Sequence, residues 1–237
     1  MTKFKILFTC CFCFFVVNTS IAQSLDLGRG ELPLTIPSTY SENTATPLII
    51  LLHGFGSSGA RQDAYMGFSR LAERYGFIFI APDGTPSSAN QSRFWNATPA
   101  CCDFSNTNVD DVSYVLNIIN EIKSDYNVDS NRVYLIGHSN GGFMSYQAAY
   151  EHSDIIAALV SLAGASHIDE RDAPDNPVHV LQIHGSADST ISYEGGQNLN
   201  NPYPGALESV SQWASYNGCV SEGAEREIRD LDSGIPG

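Results

Sequence analysis

Short, continuous apolar runs alternate along the chain with stretches in which apolar residues recur at helical spacing. The runs at residues 48–52, 77–81, 133–136, 157–162 and 178–183 are bounded by breakers, which is typical of strands buried on both faces. Apolar residues between 112 and 122 recur every three or four positions, which predicts a helix with one apolar face. We predict further helices at 59–75, 141–150 and 206–216, an extended segment at 31–37 and a loop at 85–108.

Strands that alternate with helices predict an α/β fold, in which a mostly parallel sheet is covered by helices on both faces. Right-handed crossovers place the carboxyl ends of such strands along one edge, where ligand sites of open α/β sheets gather. His53, Pro82, Gly137 and His184 all follow predicted strands. We therefore expect these residues to meet on one rim of the sheet.

The first 22 residues have the features of a signal peptide. Lys3 and Lys5 precede an apolar run at residues 6–17, and Ser20-Ile21-Ala22 places small residues before a cleavage site at Gln23. A membrane anchor is the alternative, but about twelve apolar residues are too few to span a bilayer comfortably. We expect an exported protein, extracellular or periplasmic, without a stable membrane anchor.

Composition narrows the choice of partners. Lys3 and Lys5 belong to the predicted signal, so residues 23–237 carry ten basic against 26 acidic residues, a formal net charge of −16. Such a surface argues against nucleic acid, whose binding needs clustered Lys and Arg, and disfavours polyanionic substrates. Neutral esters or neutral polysaccharides fit better. The length predicts a single domain over residues 23–237.

The strongest chemical motif surrounds Ser139. Residues 137–142 read Gly-His-Ser-Asn-Gly-Gly and lie between a predicted strand and a predicted helix, the context of a nucleophile elbow. The turn is tight enough to require glycine at 137 and 141, and it holds the serine in a strained conformation above the positive end of the helix. The alternative is a glycine-rich turn with an incidental serine. We favour Ser139 as a catalytic nucleophile.

A second motif, His-Gly-Phe-Gly at residues 53–56, follows the first buried strand. Loops of this kind commonly supply a backbone N–H to the anionic oxygen of a tetrahedral intermediate. Our candidates for this oxyanion hole are the N–H groups of Phe55 and of Asn140, the residue after the serine. We expect the side chain of His53 only to brace the loop by hydrogen bonding.

A third motif, His-Gly-Ser-Ala-Asp at residues 184–188, ends a later strand. This is where the fold places the carboxylate that orients a catalytic histidine, so Asp188 is the candidate acid. The alternative is a turn aspartate, since Asp is common in loops rich in Gly and Ser.

No histidine follows this acid, although the triad order Ser, Asp, His requires one. All six histidines lie upstream of Asp188, and each has a structural interpretation that we prefer. Cys101, Cys102 and Cys219 also leave an odd number of cysteines after the signal, where pairing is expected in an oxidising compartment. We therefore expect a chain truncated at its C-terminus, without the last strand and its histidine loop.

Together these motifs resemble the secreted polyhydroxybutyrate-depolymerase-like esterases, relatives of the feruloyl and acetylxylan esterases of carbohydrate esterase family one. The resemblance spans roughly residues 32–213. It rests on the segments 53–56, 81–84, 95–96 with 101–102, 109–112, 131–142 and 184–188. It implies an α/β-hydrolase fold and assigns Ser139 as nucleophile, Asp188 as triad acid, and Phe55 and Asn140 as oxyanion residues. The family's histidine lies in a Gly-His segment near the C-terminus, which this sequence lacks.

Three further details stay open at this point. Trp95 lies in the long loop near the rim and is a candidate wall of the substrate pocket or a packing anchor. Asp110 and Asp111 suggest a metal or a second acid, but acids at a helix N-terminus are commoner. Cys101 and Cys102 form a vicinal disulfide, or one of them pairs with Cys219; spacing does not decide.

The sequence thus predicts a secreted serine esterase that acts through an acyl-enzyme on Ser139 and needs no metal and no organic cofactor. The preferred substrates are feruloyl or acetyl esters on plant polysaccharide, with short hydroxyalkanoate polyesters second. The alternative is a non-catalytic binding module on a degenerate hydrolase scaffold, because no triad histidine is present. The oligomeric state is not predicted.

Overall fold

The computed structural model describes residues 23–220. The predicted signal peptide at 1–22 lies outside this range. The strands are β1 (Gln23–Leu25), β2 (Leu32–Thr35), β3 (Thr46–Leu52), β4 (Ile78–Ile80), β5 (Thr85–Pro86), β6 (Arg93–Phe94), β7 (Val128–His138), β8 (Ala158–Leu162), β9 (His179–Ile183), β10 (Gly196–Asn198) and β11 (Asn201–Tyr203). The helices are α1 (Gly59–Met66), α2 (Phe68–Tyr75), α3 (Asp111–Asp125), α4 (Asn140–Glu151) and α5 (Ala206–Tyr216).

Seven strands form one sheet in the order β1-β2-β4-β3-β7-β8-β9. The five strands β4, β3, β7, β8 and β9 are parallel to one another, and β2 and β1 add an antiparallel edge. This confirms the predicted α/β fold with a mostly parallel sheet. Because the five strands share one direction, the loops after β3, β4, β7, β8 and β9 leave from the same rim.

The apolar residues of the central strand β3 explain why the sheet is covered on both faces. Ile50 and Leu52 pack into the larger core cluster, which includes residues of α3, α4 and α5, whereas Leu51 packs into a smaller cluster against α2. All three side chains are fully buried. Burial of each contributes about 1.5–3 kcal/mol relative to exposure.

The predicted single helix at 59–75 is wrong in one respect, because it is two helices. Gly67 has φ = 77°, in the left-handed region, and separates α1 from α2. The side chain of Asp63 compensates for the break, since its Oδ1 accepts from the Ser69 N–H at 2.9 Å. The 85–108 loop likewise contains the two-residue strands β5 and β6, and the hairpin of β10 and β11 was not predicted.

At the opposite edge of the sheet, β9 has one neighbour, β8, among residues 23–220. Its side chains alternate in exposure, and Leu181 and Ile183 are 53% and 47% exposed. Strands of parallel sheets are normally covered on both faces.

Among residues 23–220, no helix has the length and apolar character needed to cross a membrane.

Candidate active site

Ser139 occupies the sharp turn between β7 and α4. Its backbone has φ = 51° and ψ = −117°, a conformation that an L-residue adopts only under strain, and it is the N-cap of α4. A β-carbon on Gly137 would overlap the carbonyl oxygen of Gly141, and one on Gly141 would overlap that of Leu52. The strained turn and its two obligatory glycines are therefore as predicted.

The His53-Gly54-Phe55 loop lies directly against this turn. A β-carbon on Gly54 would be 3.5 Å from the β-carbon of Ser139, so the two segments lie within van der Waals reach of each other. Within residues 23–220, neither the Phe55 N–H nor the Asn140 N–H has a hydrogen-bond acceptor. The structure thus leaves two backbone donors free beside the serine, as an oxyanion hole requires.

The hydrogen bonds of His53 orient one of these donors. Its Nε2 accepts from the Gly84 N–H at 2.9 Å, so the ring proton resides on Nδ1 and is donated to the Gly54 carbonyl oxygen at 2.7 Å. The Gly54 carbonyl also accepts from the Ser57 N–H at 3.1 Å. Because Gly54 C=O and Phe55 N–H belong to one planar peptide unit and point in opposite directions, fixing the carbonyl fixes the N–H. His53 braces the loop, as the sequence suggested.

Burial keeps that imidazole neutral. His53 has no exposed surface, and desolvation lowers its pKa below the ordinary value of 6.5, although the hydrogen bond to Gly54 acts in the opposite direction. Burial also lowers the pKa of His138 and of His167. We refer to His53, His138 and His167 as the three shifted histidines.

Trp95 and Asn140 join the serine turn to the long loop. The Asn140 Oδ1 accepts from the Trp95 N–H at 2.7 Å and its Nδ2 donates to the Trp95 carbonyl at 2.9 Å. The indole Nε1–H of Trp95 donates to the His53 carbonyl at 3.0 Å. Trp95 is 0% exposed, so our expectation that it lines the substrate pocket needs correction: the structure uses it as the packing anchor.

Cys101 and Cys102 lie in the same assembly. Both are buried, their sulfur atoms lie within bonding distance of each other, and Asn140 Nδ2 is 3.4 Å from the Cys101 sulfur. Cys219 follows α5 and is exposed, without a cysteine partner among the described residues.

Asp188 lies in the loop after β9, on the rim that carries Ser139. Its Oδ1 accepts from the N–H groups of Thr190 and Ile191 at 2.8 and 3.1 Å. Its Oδ2 is 3.8 Å from Nε2 of His184, which donates to the Ile191 carbonyl at 2.8 Å. One carboxylate oxygen is therefore held by the turn, and the other is available to a further donor. The Asp188 charge also opposes the lowering of the His138 pKa, so its field reaches the residue next to Ser139.

The two acids at the start of α3 have structural roles. Asp110 is the N-cap, and its Oδ1 accepts from the Ser113 N–H at 2.9 Å. Asp111 is buried, forms an ion pair with Arg29 at 2.6 Å and accepts from Thr85 and Asn96. Within residues 23–220, no group of three or more His, Cys, Asp or Glu residues is arranged to hold a metal ion.

Two residues of the site had no motif to reveal them. Phe104 is 43% exposed and its ring centroid is 5.3 Å from that of Phe55, which is 46% exposed, so two aromatic rings stand open to solvent beside the oxyanion loop. Gln62 of α1 is buried and contacts both Gly54 and His138. Only the folded chain brings Phe104 and Gln62 to the rim.

Within residues 23–220, no histidine nitrogen forms a hydrogen bond with Oγ of Ser139.

Several curated esterases are similar to this chain in sequence. Feruloyl esterase B of Piromyces equi is 32% identical over 195 residues, which cover 78% of this chain and 35% of that protein. A probable feruloyl esterase C of Aspergillus niger is 28% identical over 216 residues, covering 88% and 70%. A bifunctional acetylxylan esterase/xylanase of Neocallimastix patriciarum is 28% identical, covering 78% and 25%. The chain spans less than half the length of the first three curated relatives.

Solved structures show the same fold. A thermostable esterase superposes on 83% of this chain and 52% of its own, with a TM-score of 0.58 and 20% identity. A ferulic acid esterase of Anaeromyces mucronatus, solved with ferulic acid, covers 80% and 74%, with a TM-score of 0.53 and 17% identity. The resemblance to feruloyl and acetylxylan esterases is thus confirmed. A family model described as phospholipase/carboxylesterase matches residues 38–235, and the chain belongs to that family of α/β-hydrolases.

Proposed function

We propose that the protein hydrolyses carboxylic esters through an acyl-enzyme on Ser139. One observation carries this proposal: the strained Ser139 stands beside two unoccupied backbone donors, those of Phe55 and Asn140. A residue held at positive φ in this way lowers the stability of the fold, and such strain is concentrated at functional sites. In the reaction the Ser139 oxygen attacks the ester carbonyl, and the two N–H groups stabilise the oxyanion that forms.

The remaining steps need a general base and its orienting acid. Asp188 is our candidate acid, because its Oδ2 is available to an imidazole N–H and its field reaches the serine turn. We propose that the base is a further histidine, because none of the six histidines at residues 53–184 forms a hydrogen bond with Oγ of Ser139. It takes the serine proton during attack and returns it to the leaving alcohol, after which water releases the acid.

We further propose that the acyl group is aromatic, as in feruloyl esters on plant polysaccharide. Phe55 and Phe104 support this choice, because adjacent exposed apolar rings commonly mark a contact with an apolar ligand group. The relatives named as feruloyl esterases point to the same chemistry. Acetyl esters and short hydroxyalkanoate polyesters are the next choices.

The nucleophile is tested by Ser139→Ala in the protein expressed from its complete reading frame, with p-nitrophenyl acetate and methyl ferulate as substrates. We expect turnover to fall at least about a thousandfold, whereas Ser124→Ala, on an exposed part of α3, leaves it unchanged. Unchanged turnover in Ser139→Ala would eliminate the nucleophile assignment. Phe104→Ala tests the acyl group: we expect kcat/KM to fall for methyl ferulate and not for p-nitrophenyl acetate.

One observation favours a second candidate, a binding module without catalysis. An active serine esterase requires a histidine nitrogen in contact with the serine hydroxyl. Among residues 23–220, no histidine nitrogen contacts the Ser139 hydroxyl. This alternative predicts a stably folded protein that binds oligosaccharide and shows no esterase signal even when expressed from the complete reading frame. The same assays therefore separate the two candidates.

The finer features of localisation and covalent structure are also proposals. We propose that residues 1–22 are removed during export, on the basis of Lys3, Lys5 and the apolar run after them. We also propose a disulfide between Cys101 and Cys102, which the distance between their sulfur atoms supports. N-terminal sequencing of the exported protein should begin at Gln23, and peptide mass analysis under non-reducing conditions should show a linked Cys101-Cys102 pair.

A further inference from the structure

Gln62 lies between the two segments that supply the oxyanion donors. It belongs to α1, its side chain is buried, and its Oε1 accepts from the Gly54 N–H at 3.3 Å. The same oxygen is 3.2 Å from Nδ1 of His138, the residue before Ser139. One amide oxygen therefore contacts both the oxyanion loop and the serine turn.

The two donors around this oxygen determine which way the Gln62 amide faces and which ring nitrogen of His138 carries the proton. The Gly54 N–H can only donate, so the oxygen of Gln62 must face it rather than the amide nitrogen. Since that oxygen can only accept, Nδ1 of His138 must carry the proton in the contact between them. Burial lowers the His138 pKa, so the ring is neutral and its other nitrogen is without a proton.

The nitrogen of the Gln62 amide lowers the stability of the fold. Its Nε2 is buried and has no hydrogen-bond partner within residues 23–220. A buried donor without an acceptor destabilises a fold, whereas an apolar side chain of similar size would avoid that cost. The presence of glutamine despite this loss of stability indicates that its amide oxygen, Oε1, has a role.

We propose that Gln62 is a positioning residue that fixes the first oxyanion donor relative to the nucleophile. The inference rests on the proposed function, because it assumes that the Phe55 N–H binds the oxyanion. Gln62 holds the N–H of Gly54 and His53 holds its C=O, so the peptide units on both sides of Gly54 are fixed. With both fixed, the Phe55 N–H points at one place beside Ser139, before any substrate binds.

The kinetic test compares Gln62→Met, which removes the acceptor at similar size, with Gln62→Glu, which keeps an acceptor oxygen. Gln197→Met, on an exposed strand, is the matched control. In the protein expressed from its complete reading frame, we expect Gln62→Met to lower kcat by about ten- to a hundredfold, less than the loss of a whole oxyanion donor. KM should stay within about twofold, and Gln62→Glu should recover most of kcat. The melting temperature of Gln62→Met should fall, because the buried Gly54 N–H loses its acceptor, so kcat is normalised to folded protein. A folded Gln62→Met enzyme with wild-type kcat would overturn the proposal.

A measurement that needs no turnover separates this inference from the proposed function. In the ¹⁵N-labelled protein, the ring nitrogen shifts of His138, assigned with His138→Gln, report which nitrogen carries the proton. We expect the proton on Nδ1 in the wild type, loss of that preference in Gln62→Met, and faster hydrogen exchange at the Gly54 amide. A wild-type ring protonated only on Nε2 would refute the contact. If Ser139→Ala keeps full turnover, the proposed function fails, and this measurement still judges the geometry of Gln62.

Discussion

The two hydrogen bonds of His53 can be removed one at a time, and we expect their losses to affect different properties. The amide nitrogen of Asn at position 53 overlays Nδ1 of histidine, and the amide oxygen of Gln overlays Nε2. His53→Asn therefore keeps the donor to the Gly54 carbonyl and loses the acceptor for the Gly84 N–H. His53→Gln keeps the acceptor and loses the donor.

The structure sets the size of each effect. Gly84 is buried, so His53→Asn leaves its N–H without an acceptor, at a cost of about 1–3 kcal/mol in unfolding free energy. The Gly54 carbonyl retains its bond from the Ser57 N–H, so His53→Gln costs only about 0.5–1.5 kcal/mol. Because His53→Gln leaves the Gly54-Phe55 peptide held by the Ser57 N–H alone, we expect a less well oriented Phe55 N–H. On that basis kcat should fall at least about tenfold, towards the 10²–10³ loss seen when a donor is removed.

The assay pairs urea unfolding at pH 8 with kcat for p-nitrophenyl acetate, normalised to folded protein. His179→Asn and His179→Gln are the controls, because His179 is exposed. We expect the Asn variant to be the less stable and the Gln variant the less active. Equal losses in both variants, or the reverse order, would refute the argument that His53 separates loop stability from donor orientation.

Three other predictions follow from the burial of individual groups. Gly137→Ala should lower the free energy of unfolding in urea by more than about 3 kcal/mol, because its β-carbon overlaps backbone atoms. Gly185→Ala, where the β-carbon enters open space, should lower it by under about 0.5 kcal/mol. Equal losses in the two variants would contradict the elbow geometry. Asp111→Ala should lower the free energy of unfolding by about 3–5 kcal/mol, since it leaves the Arg29 charge poorly compensated. Asp129→Ala, in an exposed ion pair, should leave the urea midpoint nearly unchanged. A small loss of unfolding free energy for Asp111→Ala would refute its structural role. The three shifted histidines have pKa values below 6.5, so they bind fewer protons folded than unfolded; the unfolding free energy should be level above pH 6.5 and fall as pH drops below it, and a flat profile from pH 8 to 5 would refute their burial.

The sequence predicted the elements whose causes are local. The apolar run at 48–52 became the last five residues of β3. The elbow around Ser139 formed between a strand and a helix, at a turn too tight for any residue but glycine at 137 and 141. The meeting of the loops after β3, β7 and β9 followed from the shared direction of parallel strands. These predictions needed periodicity, glycine sterics and the handedness of crossovers.

What the sequence did not predict depends on contacts between distant segments. Trp95 has the size and the loop position of a pocket wall, but its backbone bonds to Asn140, 45 residues away, draw it into the core. Phe104 and Gln62 carry no motif, and only the fold brings them to the rim. The break at Gly67 was missed because a glycine inside an otherwise periodic stretch is also compatible with a continuous helix.

The proposed oxyanion side of the site is assembled from separate segments by bonds between side chains and backbone. Asn140 holds the Trp95 backbone, Trp95 holds the His53 carbonyl, and His53 and Gln62 hold Gly54 on both sides. Each bond lies in a buried setting, where an unmade partner is costly, so the network favours one arrangement over any relaxed one. The two donors are thus oriented by the fold itself and need not reorganise when charge develops, which is the condition under which such donors lower a barrier most. We therefore expect mutations in this network to lower kcat by weakening the stabilisation of the oxyanion.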